Sequence, residues 1–396
     1  MVILFLSYWG VNDPLTVSTI FPHLGILQKE TFVKKIVFVS IERNSKFHFD
    51  LNRDSKIEFV PILSKNLKVN LLNKINDFLI FPKAIIRLIQ NYKVDLLIAR
   101  GAPAGALAYK AWLKTNIPFV VESFEPHADY MLESGVWKKN DLRYIFEKRW
   151  EEKQKKYSYA LLPVAENYRT ELISEGVNAK KIKTVPCCIN NEKYAFNTII
   201  RERLRQELGI GSKEIVGIYV GKFGGLYYEK EAFDLFKKCF DYFNNNFKLL
   251  ILSPNEPDYI ENQLLNAKIE LNNTYFKKVK PELVPQYLSV SDFGIATYKP
   301  GPSKLFLSPI KVGEYWANGL PVLITDGIGD ETYLVDKENC GATFVAGEEN
   351  SIRNALVKIE KIISNPESRK RISILSRKYR SLNIVREVYR QILRHN

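Results

Sequence analysis

Four cysteines, Cys187, Cys188, Cys239 and Cys340, are all that the 396 residues carry. None are spaced as C-x-x-C and no regular framework relates them, which argues against zinc and points to a reducing compartment. Long apolar runs are missing as well. Nowhere do about 18 apolar residues follow one another, so no transmembrane helix is expected. The opening Val2-Ile-Leu-Phe-Leu6 is apolar, but it lacks a basic leader and a cleavage site and is too short to span a bilayer. It reads as a first buried strand. Neither a Walker A sequence nor a G-x-G-x-x-G fingerprint occurs, so neither an ATPase nor a dehydrogenase is indicated. There is no helix-turn-helix, zinc-finger or RNA-binding signature, and the basic residues are spread out rather than blocked into a tail, so nucleic acid is not an expected partner.

Acidic residues are in deficit. Lys and Arg number 58 against 44 Asp and Glu, a formal charge of +14. Such an excess favours contact with something anionic, and with nucleic acid set aside an acidic membrane surface suits better. Around Lys65-Asn-Leu-Lys-Val-Asn-Leu-Leu-Asn-Lys-Ile75, apolar residues and lysines alternate at a spacing open to two readings. One is an amphipathic interfacial helix, with Lys65, Lys68 and Lys74 toward lipid headgroups. The other is a surface helix that packs its leucines on the domain core.

With 46% hydrophobic and 12% aromatic residues, a chain of this length can bury two cores of ordinary size. From Met1 to about residue 190, apolar runs alternate with amphipathic stretches, the pattern of a parallel sheet wound with helices. Strands are expected at Val2–Leu6, Ile36–Val39, Leu96–Ala99, Phe119–Val121 and Tyr159–Val164. Helices fill the gaps at Pro14–Lys29, Leu71–Asn91, Ala104–Lys114, Leu142–Tyr157 and Glu166–Glu175. Pro186-Cys-Cys-Ile-Asn-Asn191 breaks the pattern, and a second series follows. Its strands are expected at Ile215–Val220, Lys248–Leu252, Tyr275–Val279, Phe293–Ala296 and Val322–Thr325. Its helices are Glu229–Phe243, Pro257–Asn266, Glu282–Ser289, Pro309–Asn318 and Glu349–Ile362, with a basic amphipathic helical region over Glu367–His395. The fold class is α/β with two Rossmann-like halves.

The densest signal is Ser308-Pro-Ile-Lys-Val-Gly-Glu-Tyr-Trp-Ala-Asn-Gly-Leu-Pro-Val322. Ser308 suits an N-cap, Pro309 the first helical position, and Gly319 the left-handed residue that ends a short helix. Pro321-Val-Leu-Ile-Thr325 then reads as a strand buried on both faces. Lys311 and Glu314 fall on one helical face. A helix N-terminus with a nearby Lys attracts phosphate, and a Glu one turn further in can accept two hydrogen bonds from a ribose diol. This segment resembles the nucleotide-sugar motif of glycosyltransferase family 4, in a Ser-Pro-x-Lys-x-x-Glu-Tyr form. The family's other glutamate would fall at Phe306 and is absent, which leaves the sugar-facing contact to backbone amides near Leu307–Ile310, with Ser308 and Ile310 among the donor-binding residues.

The resemblance covers essentially the whole length. It implies a retaining glycosyltransferase of GT-B fold, two Rossmann-like domains facing each other across a cleft: 1–190 for the acceptor, 191–378 for the donor, and a C-terminal helix over 379–396 crossing back. In this scheme a UDP-sugar or GDP-sugar is the donor and a glycan or lipid-linked saccharide the acceptor. Cofactor and metal are not required, and no Asp-x-Asp triplet occurs. The expected place is the cytoplasm, peripherally on the inner face of the cell membrane. A nucleotide-sugar epimerase of the same fold, or a non-catalytic sugar-nucleotide or glycan-binding homologue, is the alternative.

Further residues follow from position. Ile215–Val220 runs into Gly221-Lys-Phe-Gly-Gly225, where glycines after a strand let the backbone approach a diphosphate. This loop looks like the family's Gly-Arg loop with Lys222 in place of Arg; a tight turn without a ligand is the plainer reading. Lys222 and Lys311 are then expected to stabilise the leaving diphosphate, beside Gly221, Gly224 and Gly225. In the first half, Phe119-Val-Val-Glu-Ser-Phe-Glu-Pro-His-Ala-Asp-Tyr-Met131 is read as a strand ending in a polar cluster. His127 lies just past the strand's carboxyl end, where open α/β sheets place ligands, and the resemblance gives it the donor sugar. Glu125 and Asp129 flank it as acceptor contacts or as the group that holds its tautomer. Arg100, ending the preceding strand, is expected to face the same crevice. Gly10, in Ser7-Tyr-Trp-Gly10, is expected to end the first strand in a loop near the sugar and phosphates.

Overall fold

The structure is a computed structural model that describes residues 1–43, 55–64 and 70–393, with the side chains of 70–77 and of Asn245 also outside the description. Lys65, Lys68 and the Lys74 side chain, on which the interfacial-helix reading rests, therefore lie outside the described residues. The chain divides into two compact units, Met1–Cys188 with Leu382–Asn396, and Ile189–Ser381.

In the first unit the strands are β1 (Val2–Ser7), β2 (Lys35–Glu42), β3 (Ile57–Phe59), β4 (Ile62–Leu63), β5 (Leu96–Arg100), β6 (Phe119–Phe124) and β7 (Ala160–Pro163). They form a sheet in the order β3-β2-β1-β5-β6-β7, with β4 also on β2. Every pairing is parallel. Parallel strands covered on both faces must be apolar throughout, which is why Ile3–Leu6, Ile36–Val39 and Leu96–Ala99 read as unbroken runs and are buried. The helices are α1 (Phe21–Leu27), α2 (Asn70–Tyr92), α3 (Gly101–Thr115), α4 (His127–Glu133), α5 (Leu142–Tyr157) and α6 (Glu166–Ser174). β6 runs three residues beyond its expected end, through a register shift between Glu122 and Phe124 where Ser123 takes a φ of 49°.

The second unit holds α7 (Thr198–Glu207), β8 (Ile215–Val220), α8 (Lys230–Phe243), β9 (Phe247–Leu252), α9 (Pro257–Asn266), β10 (Thr274–Lys277), α10 (Val284–Val290), β11 (Phe293–Ala296), α11 (Ile310–Ala317), β12 (Val322–Thr325), α12 (Glu331–Lys337), β13 (Gly341–Phe344), α13 (Glu349–Ile363) and α14 (Ser368–Arg380). Its sheet order is β10-β9-β8-β11-β12-β13, again all parallel. The order reverses between β8 and β11, and between β1 and β5 in the first sheet. Loops that leave neighbouring strands in opposite directions open a crevice at the strands' carboxyl ends, which is where open α/β sheets bind ligands.

Glu367–His395, expected as one helical region, is two helices. Ser381 is extended and bridges to Ile189, whose N–H donates to Arg380 O at 2.8 Å. The pairing draws the chain out of helix there, and α15 (Leu382–Leu393) packs Val385, Tyr389 and Ile392 into the first unit's core. Among the described residues, no helix is long and apolar enough to cross a membrane.

Candidate functional site

α11 is seated by its own aromatic residues. The Tyr315 ring lies on Gly294 of β11, where an added Cβ would come within 2.4 Å of it. The hydroxyl donates to Ile295 O at 3.2 Å and accepts from Val220 N at 3.1 Å. One side chain thus ties α11 to the last residue of β8 and to β11, the two strands that flank the reversal. Tyr315 and Trp316 are both buried, each stabilising by on the order of 2–3 kcal/mol. The helix ends as its sequence predicts. Gly319 has φ 78°, its N–H reaches Trp316 O at 2.9 Å, and Leu320 N reaches Tyr315 O at 2.9 Å, a Schellman closure. A Cβ at Gly319 would also meet Arg369 O at 2.2 Å.

The start of the helix corrects the sequence reading. α11 opens at Ile310, with Pro309 in the cap position and no side-chain cap. Ser308 is not the N-cap, because the Arg380 guanidinium donates to its hydroxyl. Arg380 also pairs with the fully buried Glu331 and lies 5.9 Å from the Trp316 ring. A buried guanidinium needs partners more than a helix end that water can serve.

Glu314 is buried on α11 with both carboxylate oxygens engaged. Lys311 Nζ stands 2.8 Å from Oε2, as the three-residue spacing predicts. Tyr194 OH donates to Oε1 at 3.0 Å. Burial and the neighbouring Glu314 charge push the Tyr194 pKa up, so the phenol keeps its proton and remains a donor. Nothing local in the sequence marks Tyr194, which is 120 residues away.

The loops after β8 and β11 are joined. Tyr228 N donates to Thr297 O at 2.9 Å and Lys299 N to Leu226 O at 3.0 Å, around a Tyr227–Tyr298 bridge. Gly224 and Gly225 take φ of 87° and 65°, and Gly221 N is fixed to Leu252 O at 3.0 Å. Glu229 Oε1 lies 2.4 Å from where a Gly224 Cβ would sit, so that glycine is needed for space as well as for angle. Among the described residues, Lys222 Nζ alone approaches where a Gly225 Cβ would sit, at 3.8 Å. An exposed ammonium over bare backbone is suited to an anion. Lys230 instead turns outward to Asp234 at 2.8 Å.

In the first unit the stretch around His127 is not a loop. His127 opens α4, and its ring meets Trp137 edge-on at 5.8 Å. Beneath it, Ala128 N donates to Glu151 Oε1 at 2.8 Å. Asp129 turns to α5, accepting from Tyr144 OH at 3.0 Å and pairing with Lys148 at 2.7 Å. Glu125 precedes the helix, with its carbonyl taking His127 N at 2.7 Å. Arg100 was expected to face the crevice beside Glu125 and Asp129. It is buried instead, with Nη1 3.2 Å from Glu122 Oε2. Glu122 also accepts from Tyr389 of α15, whose hydroxyl lies 2.9 Å from His23 Nδ1. Burial pushes the His23 pKa down against the pull of Glu122. Gly10 comes three residues after β1 ends, not at its end. The Glu42 carboxylate wraps this turn, taking Val11 N at 2.7 Å and lying 2.7 Å from where a Gly10 Cβ would be.

Residues 52–193 match the model of Glycosyltransferase Family 4, and residues 200–379 match that of Glycosyl transferases group 1. No curated protein matches the chain by sequence. Among solved structures, HepE of Anabaena in complex with UDP is similar at 14% identity and a TM-score of 0.73, covering 100% of each chain. Sucrose-phosphate synthase from Thermosynechococcus elongatus is similar at 13% identity and 0.75, again over 100% of each. The UDP-GlcNAc 2-epimerase from Neisseria meningitidis bound to UDP-GlcNAc follows at 13% and 0.64 over 100% of each. At such identities the likeness shows the fold, GT-B, and an epimerase shares it. The family models add what the fold leaves open: with one on each α/β unit, the chain belongs to the GT-B glycosyltransferases of the family 4 kind.

Proposed function

We propose that this glycosyltransferase moves a sugar, with retention of configuration, from a UDP- or GDP-sugar to a hydroxyl of a glycan or lipid-linked saccharide, in polysaccharide or glycoconjugate biosynthesis. The observation that carries the donor site is Glu314, held by Tyr194 and Lys311 one turn into α11. A carboxylate offers about four lone-pair directions. Two are taken, and the others remain for a ribose diol. HepE, a neighbour in fold, is bound to UDP, which supports a nucleoside diphosphate as the ligand here.

Lys222, with the α11 N-terminus and the amides of Gly224, Gly225, Ser308 and Ile310, stabilises the diphosphate as the glycosidic bond breaks, while Gly221, whose N–H is held by Leu252 O, lets the backbone approach it. Lys311 contributes less to that charge because Glu314 already offsets its own. In the first unit, His127 serves the sugar and Glu125 the acceptor, while Asp129, held by Tyr144 and Lys148, supports α4 and Gly10 keeps its turn free of a side chain. Arg100 supports the strand end through Glu122. No cofactor or metal enters these roles. The protein works in the cytoplasm, against the inner face of the membrane when the acceptor is lipid-linked.

Glu314→Ala tests the reading. Calorimetric titration with UDP and GDP should show an affinity loss of about 1.5–3 kcal/mol, the range for a hydrogen bond to a charged group. Unchanged affinity in a variant with native near-UV dichroism would remove Glu314 from the ribose. Incubation with donor alone separates the epimerase alternative, which needs no acceptor.

A further inference from the structure

α5 is built inside out along much of its length. The side chains it turns inward include Glu147, Glu151 and Gln154, all buried. Those it turns outward include Leu142, Ile145 and Phe146, exposed by 77%, 54% and 44%. The spacing i, i+3, i+4 puts these three on one stripe. Helices normally hide such a stripe and expose their carboxylates.

Phe146 also borders α2. Phe78 meets Phe146 edge-on at 5.2 Å and stacks near Trp150 at 6.1 Å, so the two helices touch here. α2 turns Phe81, Ile85 and Ile89 inward and leaves Leu79 and Ile80 exposed. Leu142, Ile145 and Phe146 thus form an exposed apolar stripe on the outer side of α5. Around them stand exposed cations: Lys138 and Lys139 lead into α5, and Arg143 and Arg149 lie along its outer side. Asp141 is the acid nearest in sequence to that end of the helix, and it is engaged by Arg143.

We infer that this face docks the first unit on an anionic lipid bilayer, with Leu142, Ile145 and Phe146 in the acyl boundary and the four cations among headgroup phosphates. The inference deepens the proposed function, since it rests on the reading of a lipid-linked acceptor and supplies the surface through which the enzyme meets it. The charge decides between occupants. A second copy would bring the same cationic rim against this one, on a chain of +14, whereas an anionic leaflet attracts the rim while its interior takes the apolar stripe.

Co-sedimentation of the intact protein with vesicles of phosphatidylcholine alone, or of phosphatidylcholine with phosphatidylglycerol, tests it. Binding is expected to the anionic vesicles, weakened by salt. Leu142→Glu with Ile145→Glu should lower the partition coefficient on the order of tenfold or more, and Lys138→Glu with Lys139→Glu by about tenfold. All four positions are exposed, and urea unfolding checks that the variants fold. Absence of wild-type binding, or equal binding by the Leu142/Ile145 variant, overturns the proposal. So does a dimer in sedimentation velocity that the same variant dissolves, which would assign the face to a second copy. UDP and GDP titrations run alongside read the donor site independently: vesicle binding without nucleotide binding would refute the donor reading and leave the docking face standing.

Discussion

Glu151→Gln isolates a charge that the fold makes expensive. The Glu151 side chain is fully buried under the first turn of α4, where Oε1 accepts from Ala128 N at 2.8 Å. Oε2 has no hydrogen-bond partner among the described residues, and Lys148 Nζ stands 3.8 Å from it. Burial dominates and raises the pKa from 4.5 to about 8, with the Ala128 N–H and Lys148 opposing and the charges of Glu147 and Asp129 adding to the rise. The sign follows from proton counting. Between the two values the folded state keeps a proton that the unfolded chain releases, so stability falls as pH rises and the loss is complete above about pH 8. At about 1.4 kcal/mol per pH unit the ceiling is roughly 5 kcal/mol, and water reaching the site reduces it, so about 2–5 kcal/mol is expected.

Gln keeps the shape and the acceptor for Ala128 N but has no charge to bury. Urea unfolding near pH 5 should therefore find the two proteins similar, and near pH 9 should find Glu151→Gln more stable by that amount. Two units need not unfold together, so hydrogen exchange across α4 gives the local reading. Because His127 opens this helix, wild-type transfer should also decline above about pH 8 more steeply than in the variant. Stability curves that run parallel from pH 5 to 9 would refute the reasoning, since no other difference between Glu and Gln depends on pH.

Tyr194→Phe removes one donor from Glu314 and should raise the dissociation constant for nucleotide by roughly 0.5–1.5 kcal/mol, with a smaller effect on turnover at saturating donor. Lys222→Ala should lower kcat more than donor affinity, and Lys311→Ala should do so more weakly; an effect confined to KM would favour ground-state binding over leaving-group stabilisation. His127→Ala should impair transfer and leave calorimetric binding of free UDP or GDP nearly intact, and lost nucleotide binding would count against placing it at the sugar.

What could be read from the sequence is what neighbouring residues decide among themselves. β8, β11 and β12 fall on their expected ranges because a parallel strand covered on both faces has no polar position to blur the run. The end of α11 was equally legible, since only a residue that tolerates positive φ closes a Schellman turn there. α7 was not. Its Arg201 and Arg205 turn inward to the carbonyl of Val290 and to Asp292, so its buried side is partly cationic and shows no apolar period. β13 is Gly-Ala-Thr-Phe, too short and small to stand out. α4 follows Pro126 in a stretch dense with polar groups, which reads as loop until Glu151 supplies the acceptor for its first turn.

The candidate site divides along the same line. Lys311 and Glu314 are a local pair, and their ion pair was readable from a spacing of three. Whether Ser308 caps the helix is not a local question, because Arg380, 72 residues on, takes the hydroxyl. Likewise Gly294 looks like a flaw in β11 until Tyr315 is seen lying against it, its hydroxyl fixing α11 to β8 and β11 together. That contact has a functional consequence. The depth of Glu314 in the crevice depends on a glycine in a strand and on a tyrosine one residue along the helix, so a side chain at Gly294 would shift Glu314, the proposed ribose acceptor, without touching it.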